Sequence, residues 1–260
     1  MNNWNLLSVS EIGNRARNED KISHFIRMVN CKTPVFAFIA CDGVGGVSGG
    51  GEAAEIVATT VEKKLKALIS KYGTLLFSNK YGAILRSKLK KLRIKNGICG
   101  ATTMVALIFC TRRLQGRYRC IAIWAGDSRA HIIDGSGHYL QLTHDHHDDE
   151  GRLTSAYVAK DGFCKANIEI NNYIMNNLPL AFGVSTDGLH GKCRVDELRH
   201  FLSCCLVNKE IDSETFASWV QSFLEANISD NYSAIFLLRK TMLPLGILEN
   251  NIKMSGDINA

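Results

Sequence analysis

Residues 35–51 read VFAFIACDGVGGVSGGG, an apolar run that ends in a single Asp and passes into a glycine-rich stretch. The run is rich in Val, Ile and Phe, and it predicts a strand from Val35 to Ala40. After the glycines, apolar residues recur at intervals of three and four, which predicts a helix from Glu52 to Ser70. Asp42 is therefore expected at the end of a rigid strand, next to a backbone that glycine allows close to a ligand.

A glycine-rich stretch before a helix can also cradle the phosphates of a nucleotide, because the helix N-terminus attracts anions. Only Gly49, Gly51 and Ala54 fit the dinucleotide fingerprint, and the acidic residue expected about 20 positions later is missing. The Gly-Lys-Ser/Thr sequence of a Walker loop is absent as well. A nucleotide-binding oxidoreductase is therefore the most distant alternative for the function.

Apolar and aromatic runs predict eight further strands, and apolar spacing predicts three further helices. The predicted strands are Asn5–Val9, Ile22–Val29, Thr102–Phe109, Cys120–Trp124, Ala130–Ile133, Tyr139–Thr143, Leu180–Ser185 and Tyr232–Leu238. The predicted helices are Tyr81–Ile94, Asp196–Val207 and Ser213–Ala226, and a hairpin turn is predicted at Asp134–Gly137. Strands and helix pairs in this order do not alternate as a parallel sheet requires, so the order predicts a layered α+β fold.

Length and composition indicate the domain organisation. The chain has 260 residues, 46% of them hydrophobic, which is enough for a sizeable core, and we expect one domain over residues 1–241. Residues 242–260 are Asn-rich and are predicted to form a flexible C-terminal tail. No apolar stretch is long enough to span a membrane and the start shows no secretory signal, so we expect a cytoplasmic protein without a membrane partner. The nine Cys are odd in number and scattered, which indicates reduced thiols rather than disulfides or structural zinc.

The basic residues are unevenly distributed, because fifteen of the 31 Lys and Arg lie between Lys63 and Gly126, where there is no Asp or Glu. The rest of the chain has 16 basic and 25 acidic residues, a difference of −9. Six basic residues fall on or next to the predicted helix Tyr81–Ile94: Arg86, Lys88, Lys90, Lys91, Arg93 and Lys95. Such a face is usually solvated surface, but it could also dock an acidic or phosphorylated partner. No sequence motif supports specific nucleic-acid binding.

Four Asp residues stand at the ends of predicted strands: Asp42, Asp127, Asp187 and Asp230. Carboxylates projected from separate strand ends repel one another, and a hard divalent cation such as Mg²⁺ or Mn²⁺ relieves that repulsion. Any one of these residues taken alone is more often only a turn former. Four in the same structural context predict a metal cluster.

Seven short motifs carry a family resemblance. They are GNRARNED at residues 13–20, DGVGG at 42–46, GATT at 100–103, GDSR at 126–129, THDH at 143–146, TDG at 186–188 and DNYS at 230–233. In order and spacing, over about residues 8–238, they resemble the PPM family, the type 2C metal-dependent Ser/Thr protein phosphatases. The resemblance implies an α+β fold of four layers, in which two antiparallel β-sheets form a sandwich flanked by pairs of helices.

The resemblance also implies a set of metal ligands that lie at strand ends or in the adjoining turns: Asp42, Gly43, Asp187, Asp230, Asp127, Glu19 and Asp20. Asp42 would bridge two Mn²⁺ or Mg²⁺ ions, with Asp187 and Asp230 completing the first site. The Gly43 carbonyl would contribute to the second site, and Asp127 would hold a third, weaker ion together with Asp187. The two acidic residues of the GNRARNED motif would act mainly through bound water.

The catalytic residues implied by the resemblance are Arg15 and Asp42. Arg15 stands five positions before Asp20, as the phosphate-binding Arg of the family does, and its planar guanidinium suits a phosphate; otherwise it would be a surface Arg in a polar turn. Asp42 would hold the two ions that activate a water for in-line attack on phosphorus, so no protein nucleophile is needed. The implied reaction is hydrolysis of phosphoserine and phosphothreonine, with a phosphorylated protein as substrate, a cognate Ser/Thr kinase as partner and a monomeric enzyme.

Two segments depart from the family pattern. Val44 stands where many eukaryotic members have a His that could protonate the leaving group, and bacterial members commonly have an apolar residue there. Residues 144–180 correspond to the variable flap of the family but match it poorly, and they begin with HDHHDDE, which is either a metal site or a polar loop. The alternative to an enzyme is a catalytically silent member that binds phosphoproteins, and the retention of Arg15, Asp42, Asp187 and Asp230 argues against it.

Overall fold

The computed structural model of the chain describes residues 3–45, 48–94, 99–191, 195–207, 211–224 and 229–240. Within these ranges the strands are β1 (Trp4–Glu11), β2 (Asp20–Val29), β3 (Thr33–Asp42), β4 (Lys91–Arg93), β5 (Gly100–Thr102), β6 (Met104–Leu114), β7 (Arg117–Ala125), β8 (Arg129–Ile133), β9 (Tyr139–Gln141), β10 (Tyr157–Lys160), β11 (Phe163–Lys165), β12 (Glu169–Met175), β13 (Ala181–Ser185) and β14 (Tyr232–Arg239). The α-helices are α1 (Gly50–Tyr72), α2 (Gly82–Leu89), α3 (Asp187–His190), α4 (Val195–Val207) and α5 (Ser213–Leu224).

The described strands pair antiparallel throughout and form two large sheets and a small one. Sheet I has the strand order β1-β14-β13-β8-β9, and sheet II has the order β12-β7-β6-β3-β2. Sheet III, with the order β4-β11-β10-β5, is much shorter. The predicted α+β fold of antiparallel sheets is confirmed, whereas the resemblance did not imply a third sheet.

Sheets I and II pack face to face through an aromatic core. Phe182 of β13 lies between Phe38 of β3 and Phe109 of β6, with ring centroids 5.4 Å and 4.3 Å away. The alternate side chains of β3, including Ile39, face the opposite way and are buried against α1. Both faces of this strand are therefore covered, which explains why its sequence is apolar without alternation.

Helices cover the outer faces of the two large sheets. Val57 and Val61 of α1 and Leu85 of α2 belong to the core on the outer side of sheet II. Leu202 of α4 and Phe216 of α5 belong to a third core on the outer side of sheet I. The buried stripes of α1, α4 and α5 follow the three-and-four spacing that predicted these helices.

The prediction of one helix from Tyr81 to Ile94 is wrong at its C-terminal end. Helix α2 ends at Leu89, and the next residues form β4, in which Leu92 pairs with Cys164 of β11. Leu92 is fully buried, as helical spacing required, but the burial comes from pairing with a distant strand. Of the six basic residues in this region, Arg86 and Lys88 lie on α2, Lys90 follows it, Lys91 and Arg93 lie in β4, and Lys95 is outside the described residues.

Three strands between residues 144 and 180 have no counterpart among the predicted elements: β10, β11 and β12. The first two contain only four and three residues, which is too short for a clear period. The third, EINNYIM, carries two consecutive Asn, a residue that disfavours strands, yet it pairs along its full length with β7. Long-range pairing therefore orders a segment whose own sequence predicts little.

The other predicted elements agree with the structure to within five residues at their ends, and residues 225 and 226 of the last predicted helix lie outside the described residues. At the predicted hairpin turn, the Asp134 N–H donates to the His138 carbonyl at 2.9 Å and the Gly137 N–H donates to the Asp134 carbonyl at 3.1 Å. Among the described residues, none of the helices combines the length and the apolar character needed to cross a membrane. The eight cysteines described form no disulfide. The predicted tail, residues 242–260, lies outside the described residues.

Candidate active site

Strand ends from both large sheets surround one cavity of about 140 Å³. Seven of the eight predicted site residues line it: Arg15, Glu19, Asp42, Gly43, Asp127, Asp187 and Asp230. The eighth, Asp20, lies beside the cavity, where it stands opposite Asp42 in the pairing of β2 with β3. The structure thus brings the predicted residues together, while their roles as ligands and as a phosphate contact stay predictions.

The GATT segment fixes the position of Asp42. The Asp42 N–H donates to Thr103 Oγ1 at 3.1 Å, and the Asp42 carbonyl accepts hydrogen bonds from the Thr103 N–H and from Thr102 Oγ1, both at 2.8 Å. Thr103 Oγ1 also lies 2.7 Å from Ser128 Oγ of the GDSR segment. The motifs that surround Asp42 in the folded protein therefore hold its backbone from two sides.

Two glycines of the motifs allow close backbone contacts at the cavity. A Cβ on Gly43 would lie 2.5 Å from the carbonyl carbon of Gly50, so the chain after β3 could not fold back against the start of α1. A Cβ on Gly188 would lie 1.9 Å from the carbonyl oxygen of Asn231, so α3 could not approach the segment before β14. Glycine at these two positions brings Asp42, Asp187 and Asp230 toward the same space.

Arg15 and Asp230 form an ion pair across the cavity, with Arg15 Nη2 at 2.6 Å from Asp230 Oδ2. The other oxygen of Asp230 accepts a hydrogen bond from the Asn231 N–H at 2.8 Å. Arg15 is the only Lys or Arg that lines the cavity within the described ranges. Nearly half of its side-chain surface, 47%, is exposed, so its remaining donors can reach a ligand.

Asn231 organises the loop that carries Arg15 and Glu19, a role that the sequence did not predict. Its Nδ2 donates to the carbonyls of Ile12 at 2.7 Å and Arg17 at 3.0 Å, and its Oδ1 accepts the Glu19 N–H at 2.8 Å. One side chain therefore pins both ends of this loop. The only sequence signal was its place in the DNYS motif next to Asp230.

The carboxylates that line the cavity outnumber the basic side chains that line it. Burial raises the pKa of Asp42 well above its usual range, and the charges of Asp20 and Asp187 raise it further. Burial likewise raises the pKa of Asp187, and it raises that of Asp20 to about 7. Asp20 Oδ1, Asp127 Oδ1 and Asp187 Oδ1 are buried without a hydrogen-bond partner. Buried carboxylate oxygens of this kind are the donors that Mg²⁺ and Mn²⁺ prefer, so the residues present fit divalent cations.

His147 is a second neighbour of the cavity that sequence reasoning did not assign. Its Nε2 lies 2.9 Å from Asp127 Oδ2, the oxygen of that carboxylate that does have a partner. The only indication in the sequence was the HDHHDDE cluster, which did not single out this residue. Its contact connects the segment after β9 to the edge of the cavity.

The metal-site alternative for the HDHHDDE cluster finds only limited support in the structure. His144, His146 and Glu169 place one nitrogen or oxygen each within 4.8 Å of one another. However, His146 Nδ1 accepts the Gly126 N–H at 3.0 Å, so a neutral ring carries its proton on Nε2, which donates to Glu169 Oε1 at 3.0 Å. His146 in this arrangement cannot offer a free nitrogen to a metal, and it tethers the turn before Asp127 instead.

Comparison with known proteins agrees with the fold and the motifs. A family model described as "Protein phosphatase 2C" matches residues 9–234, and no curated protein matches the sequence significantly. The S. agalactiae serine/threonine phosphatase superposes with a TM-score of 0.59 at 18% identity, covering 91% of this chain and 99% of that one. PppA, described as a key regulatory component of T6SS in Pseudomonas aeruginosa, gives 0.58 at 20% identity, with 91% and 98% covered. The Mycobacterium tuberculosis serine/threonine phosphatase PstP/Ppp gives 0.58 at 15% identity, with 92% and 100% covered.

At such low identities the solved structures show a shared fold and nothing finer about the chemistry. The family model is the stronger observation, because it spans most of the chain and includes the strand ends that meet at the cavity. The chain therefore belongs to the protein phosphatase 2C family.

Proposed function

We propose that the protein is a Mn²⁺- or Mg²⁺-dependent phosphatase that hydrolyses phosphoserine and phosphothreonine in proteins. The observation that carries the proposal is the cavity in which Asp42, Asp127 and Asp187 converge, two of them with a buried oxygen that lacks a partner. Arg15 stands at the same cavity with donors exposed to solvent. An anionic substrate and divalent cations are the ligands that such a combination of charges accepts.

Each carboxylate of the cavity has a place in this function. Asp42, Asp187, Asp230 and the Gly43 carbonyl would hold two cations, and Asp127 with Asp187 would hold a third. When bound, the cations supply Lewis acidity, which neutralises the phosphoryl oxygens and makes a water nucleophilic at neutral pH. Asp20 and Glu19 would orient water around them. Thr186 Oγ1 already holds Asp20 Oδ2 at 2.8 Å and leaves the other oxygen of that carboxylate for this purpose.

Arg15 would bind and orient the phosphate of the substrate. Its guanidinium donates to Asp230 through Nη2, and its other N–H donors are open to solvent. Those donors would bind two oxygens of the substrate phosphate, because a planar guanidinium can bind phosphate oxygens in pairs. The ion pair with Asp230 keeps the guanidinium at the cavity.

The leaving-group oxygen would take its proton from water. Val44 lines the cavity where many family members have His, and none of the described residues that line the cavity is a His. The cavity contains no cysteine among its described residues either, so a thiolate mechanism finds no support there. The one Cys-x5-Arg spacing in the chain, from Cys193 to Arg199, lies elsewhere: Arg199 is within α4, and Cys193 is outside the described residues.

The partners that we propose are a phosphorylated protein as substrate and a Ser/Thr kinase that produces it, with the enzyme acting as a monomer in the cytoplasm. The phosphate chemistry of the cavity supports the first of these. A specific nucleic-acid partner and a membrane partner are not part of the proposal, and no sequence motif supports the former.

The test is hydrolysis of a phosphoserine and a phosphothreonine peptide by the purified chain, measured as released phosphate. We expect turnover with added Mn²⁺ or Mg²⁺ and none after removal of metal by a chelator. Turnover that survives thorough chelation would contradict a metal-dependent reaction. A metal-loaded chain that binds the phosphopeptides without releasing phosphate would instead identify the catalytically silent alternative.

A further inference from the structure

A line of hydrogen bonds runs behind the cavity through the interior of sheet I. Tyr139 Oη lies 2.6 Å from His131 Nδ1, and His131 Nε2 lies 2.7 Å from Ser185 Oγ. Ser185 Oγ lies 2.8 Å from His190 Nδ1, and His190 Nε2 lies 3.1 Å from the backbone carbonyl oxygen of Asp127. His131, Ser185 and His190 are buried. These five residues are called the histidine chain below.

The direction of every hydrogen bond in the histidine chain follows from its last acceptor. A carbonyl oxygen only accepts, so His190 Nε2 carries a proton, and burial lowers the pKa of His190 well below its usual range, so the ring is neutral. His190 Nδ1 therefore accepts from Ser185, whose oxygen accepts from His131 Nε2. Burial lowers the pKa of His131 to about 3, so this ring is neutral too and its Nδ1 accepts from Tyr139. Every buried donor and acceptor of the two rings is thus satisfied.

The histidine chain connects two segments that carry carboxylates of the cavity. His190 is the last residue of α3, whose first residue is Asp187, and Ser185 ends the strand before it. At the other end, the carbonyl of Asp127 belongs to the turn between β7 and β8. The side chain of His190 therefore ties the turn of Asp127 to the helix of Asp187. Both carboxylates have a buried oxygen without a partner, and their charges repel each other across the cavity.

We propose that His190 is a positioning residue that holds Asp127 beside Asp187 and so sets the affinity of this pair for a divalent cation. The inference deepens the proposed function and rests on it for the kind of ligand that the pair binds. Two carboxylates that repel each other would move apart if their segments were free, and a cation that brings them together again would bind more weakly. The hydrogen bond from His190 Nε2 to the Asp127 carbonyl holds the two segments together before a cation binds, so this loss of affinity is avoided.

Two replacements of His190 test its hydrogen bond to the Asp127 carbonyl separately from its hydrogen bond to Ser185. His190→Asn keeps an acceptor near the position of Nδ1 for Ser185 but places no donor at the Asp127 carbonyl. His190→Gln is long enough to place an amide N–H near the position of Nε2 and so restores that donor. Tyr157→Phe is the matched control, because it removes another buried hydrogen bond, from Tyr157 Oη to the Leu89 carbonyl at 2.8 Å, outside the residues that line the cavity.

The experiment is a titration of the full chain with Mn²⁺ alone, followed by electron paramagnetic resonance, with the melting temperature of the metal-free protein measured in parallel. We expect His190→Asn to weaken the weakest Mn²⁺ site of the parent about tenfold, whereas His190→Gln stays within about threefold of the parent. Tyr157→Phe should lower the melting temperature and leave every Mn²⁺ affinity unchanged. If His190→Asn does not fold, Ser185→Ala is the second variant. It removes the hydrogen bond between Ser185 Oγ and His190 Nδ1 and should weaken the same Mn²⁺ site.

A folded His190→Asn protein with the Mn²⁺ affinities of the parent would overturn the inference, as would a His190→Gln protein as weak as His190→Asn. These outcomes are independent of the proposed reaction. A parent chain that binds Mn²⁺ but hydrolyses no phosphopeptide, and loses affinity in His190→Asn, would contradict the function and keep the role of His190. An active parent protein whose Mn²⁺ affinities are unchanged by His190→Asn would keep the proposed function and contradict the role of His190.

Discussion

The cavity and the basic surface both concentrate charge of one sign, but they do so in opposite surroundings. The basic surface consists of Arg86, Lys88, Lys90, Lys91 and Arg93, and all five are exposed. The acidic residues that line the cavity, together with Asp20 beside it, are buried or half-buried, and three of their oxygens have no partner. Water and salt screen like charges on a surface, whereas buried carboxylates have no such relief. A buried cluster of like charges therefore indicates a binding site by itself, whereas an exposed cluster can be solvated and needs an experiment to show a docking role.

The largest expected effect is that of Asp42→Asn. Loss of the proposed cation ligand Asp42 should lower phosphatase activity at least about 100-fold, since even residues that only support metal ligands contribute 10- to 100-fold. The same change should raise the melting temperature of the metal-free protein, because it removes one of several repelling buried charges. Activity toward an aryl phosphate at saturating Mn²⁺ and thermal unfolding in a chelator measure the two effects.

Asp134→Asn is the matched control for this change, because Asp134 has the same side chain at a hairpin outside the cavity. It should leave both activity and metal affinity unchanged. Circular dichroism of each variant establishes that the fold is retained. An Asp42→Asn protein with parental activity would remove the distinction between the two regions.

The pH dependence of stability should differ in sign between metal-free and metal-loaded protein. An unfolded Asp has a pKa of about 3.9, whereas burial raises that of Asp20 in the folded protein to about 7. The folded state thus binds protons more tightly, so metal-free stability is greatest below pH 4 and is lost as the pH rises to about 7, by up to roughly 1.4 kcal/mol per pH unit. With Mn²⁺ bound, rising pH should stabilise the protein instead, because the cation favours the ionised carboxylates.

Denaturant unfolding between pH 4 and pH 8, with and without Mn²⁺, measures this dependence. Asp20→Asn should flatten the metal-free slope, since an amide does not titrate. Metal-free stability that rises over the same interval would contradict a raised pKa of Asp20 in the folded protein.

Arg15→Ala should raise KM for a phosphopeptide more than it lowers kcat, because a phosphate clamp acts largely in binding. A hydrogen bond to a charged group contributes roughly 1.5 to 3 kcal/mol, which corresponds to about tenfold or more in KM. Arg17→Ala is the control, since Arg17 is an exposed Arg of the same loop. Equal KM values for the two variants would contradict phosphate binding by Arg15 and would identify it as a surface residue that only pairs with Asp230.

The smallest effect is expected on the basic surface. Reversing Lys88, Lys90 and Arg93 to Glu should lower kcat/KM severalfold for an acidic phosphoprotein at low salt, where long-range attraction is strongest, and leave an aryl phosphate unaffected. Lys91 is kept, because its Nζ lies 3.7 Å from the centroid of the Phe163 ring and its loss would also disturb packing. Identical kinetics toward several acidic phosphoproteins at low salt would identify the surface as solvated and without a docking role.

Sequence patterns predicted those parts of the fold whose burial follows from local periodicity. The strands β3 and β6 are apolar over most of their length because both faces are covered, and α1 repeats its apolar stripe over many turns. The patterns failed at β4. Leu85, Leu89 and Leu92 are all buried, and their spacing fits one continuous helix as well as it fits the observed helix that ends at Leu89 and is followed by a strand. The partner strand that decides between the two lies some seventy residues further along the chain.

The candidate site was predictable to the extent that its residues sit in motifs at strand ends. Arg15 and the predicted carboxylates line one cavity, except for Asp20, which lies beside it. Asn231, His147 and His190 were missed, because their importance lies in the partner that each finds after folding. The bond from the Glu19 N–H to Asn231 joins residues 212 positions apart, and no local pattern encodes such a distance.

The place of β14 in sheet I has a consequence for how the protein is made. This strand lies between β1 and β13, it is the last described element to be synthesised, and it follows directly on Asp230 and Asn231. A nascent chain that has not reached this point has neither the partner of Arg15 nor the side chain that pins the loop of Glu19. The growing polypeptide therefore cannot complete the cavity until β14 and the two residues before it have been synthesised.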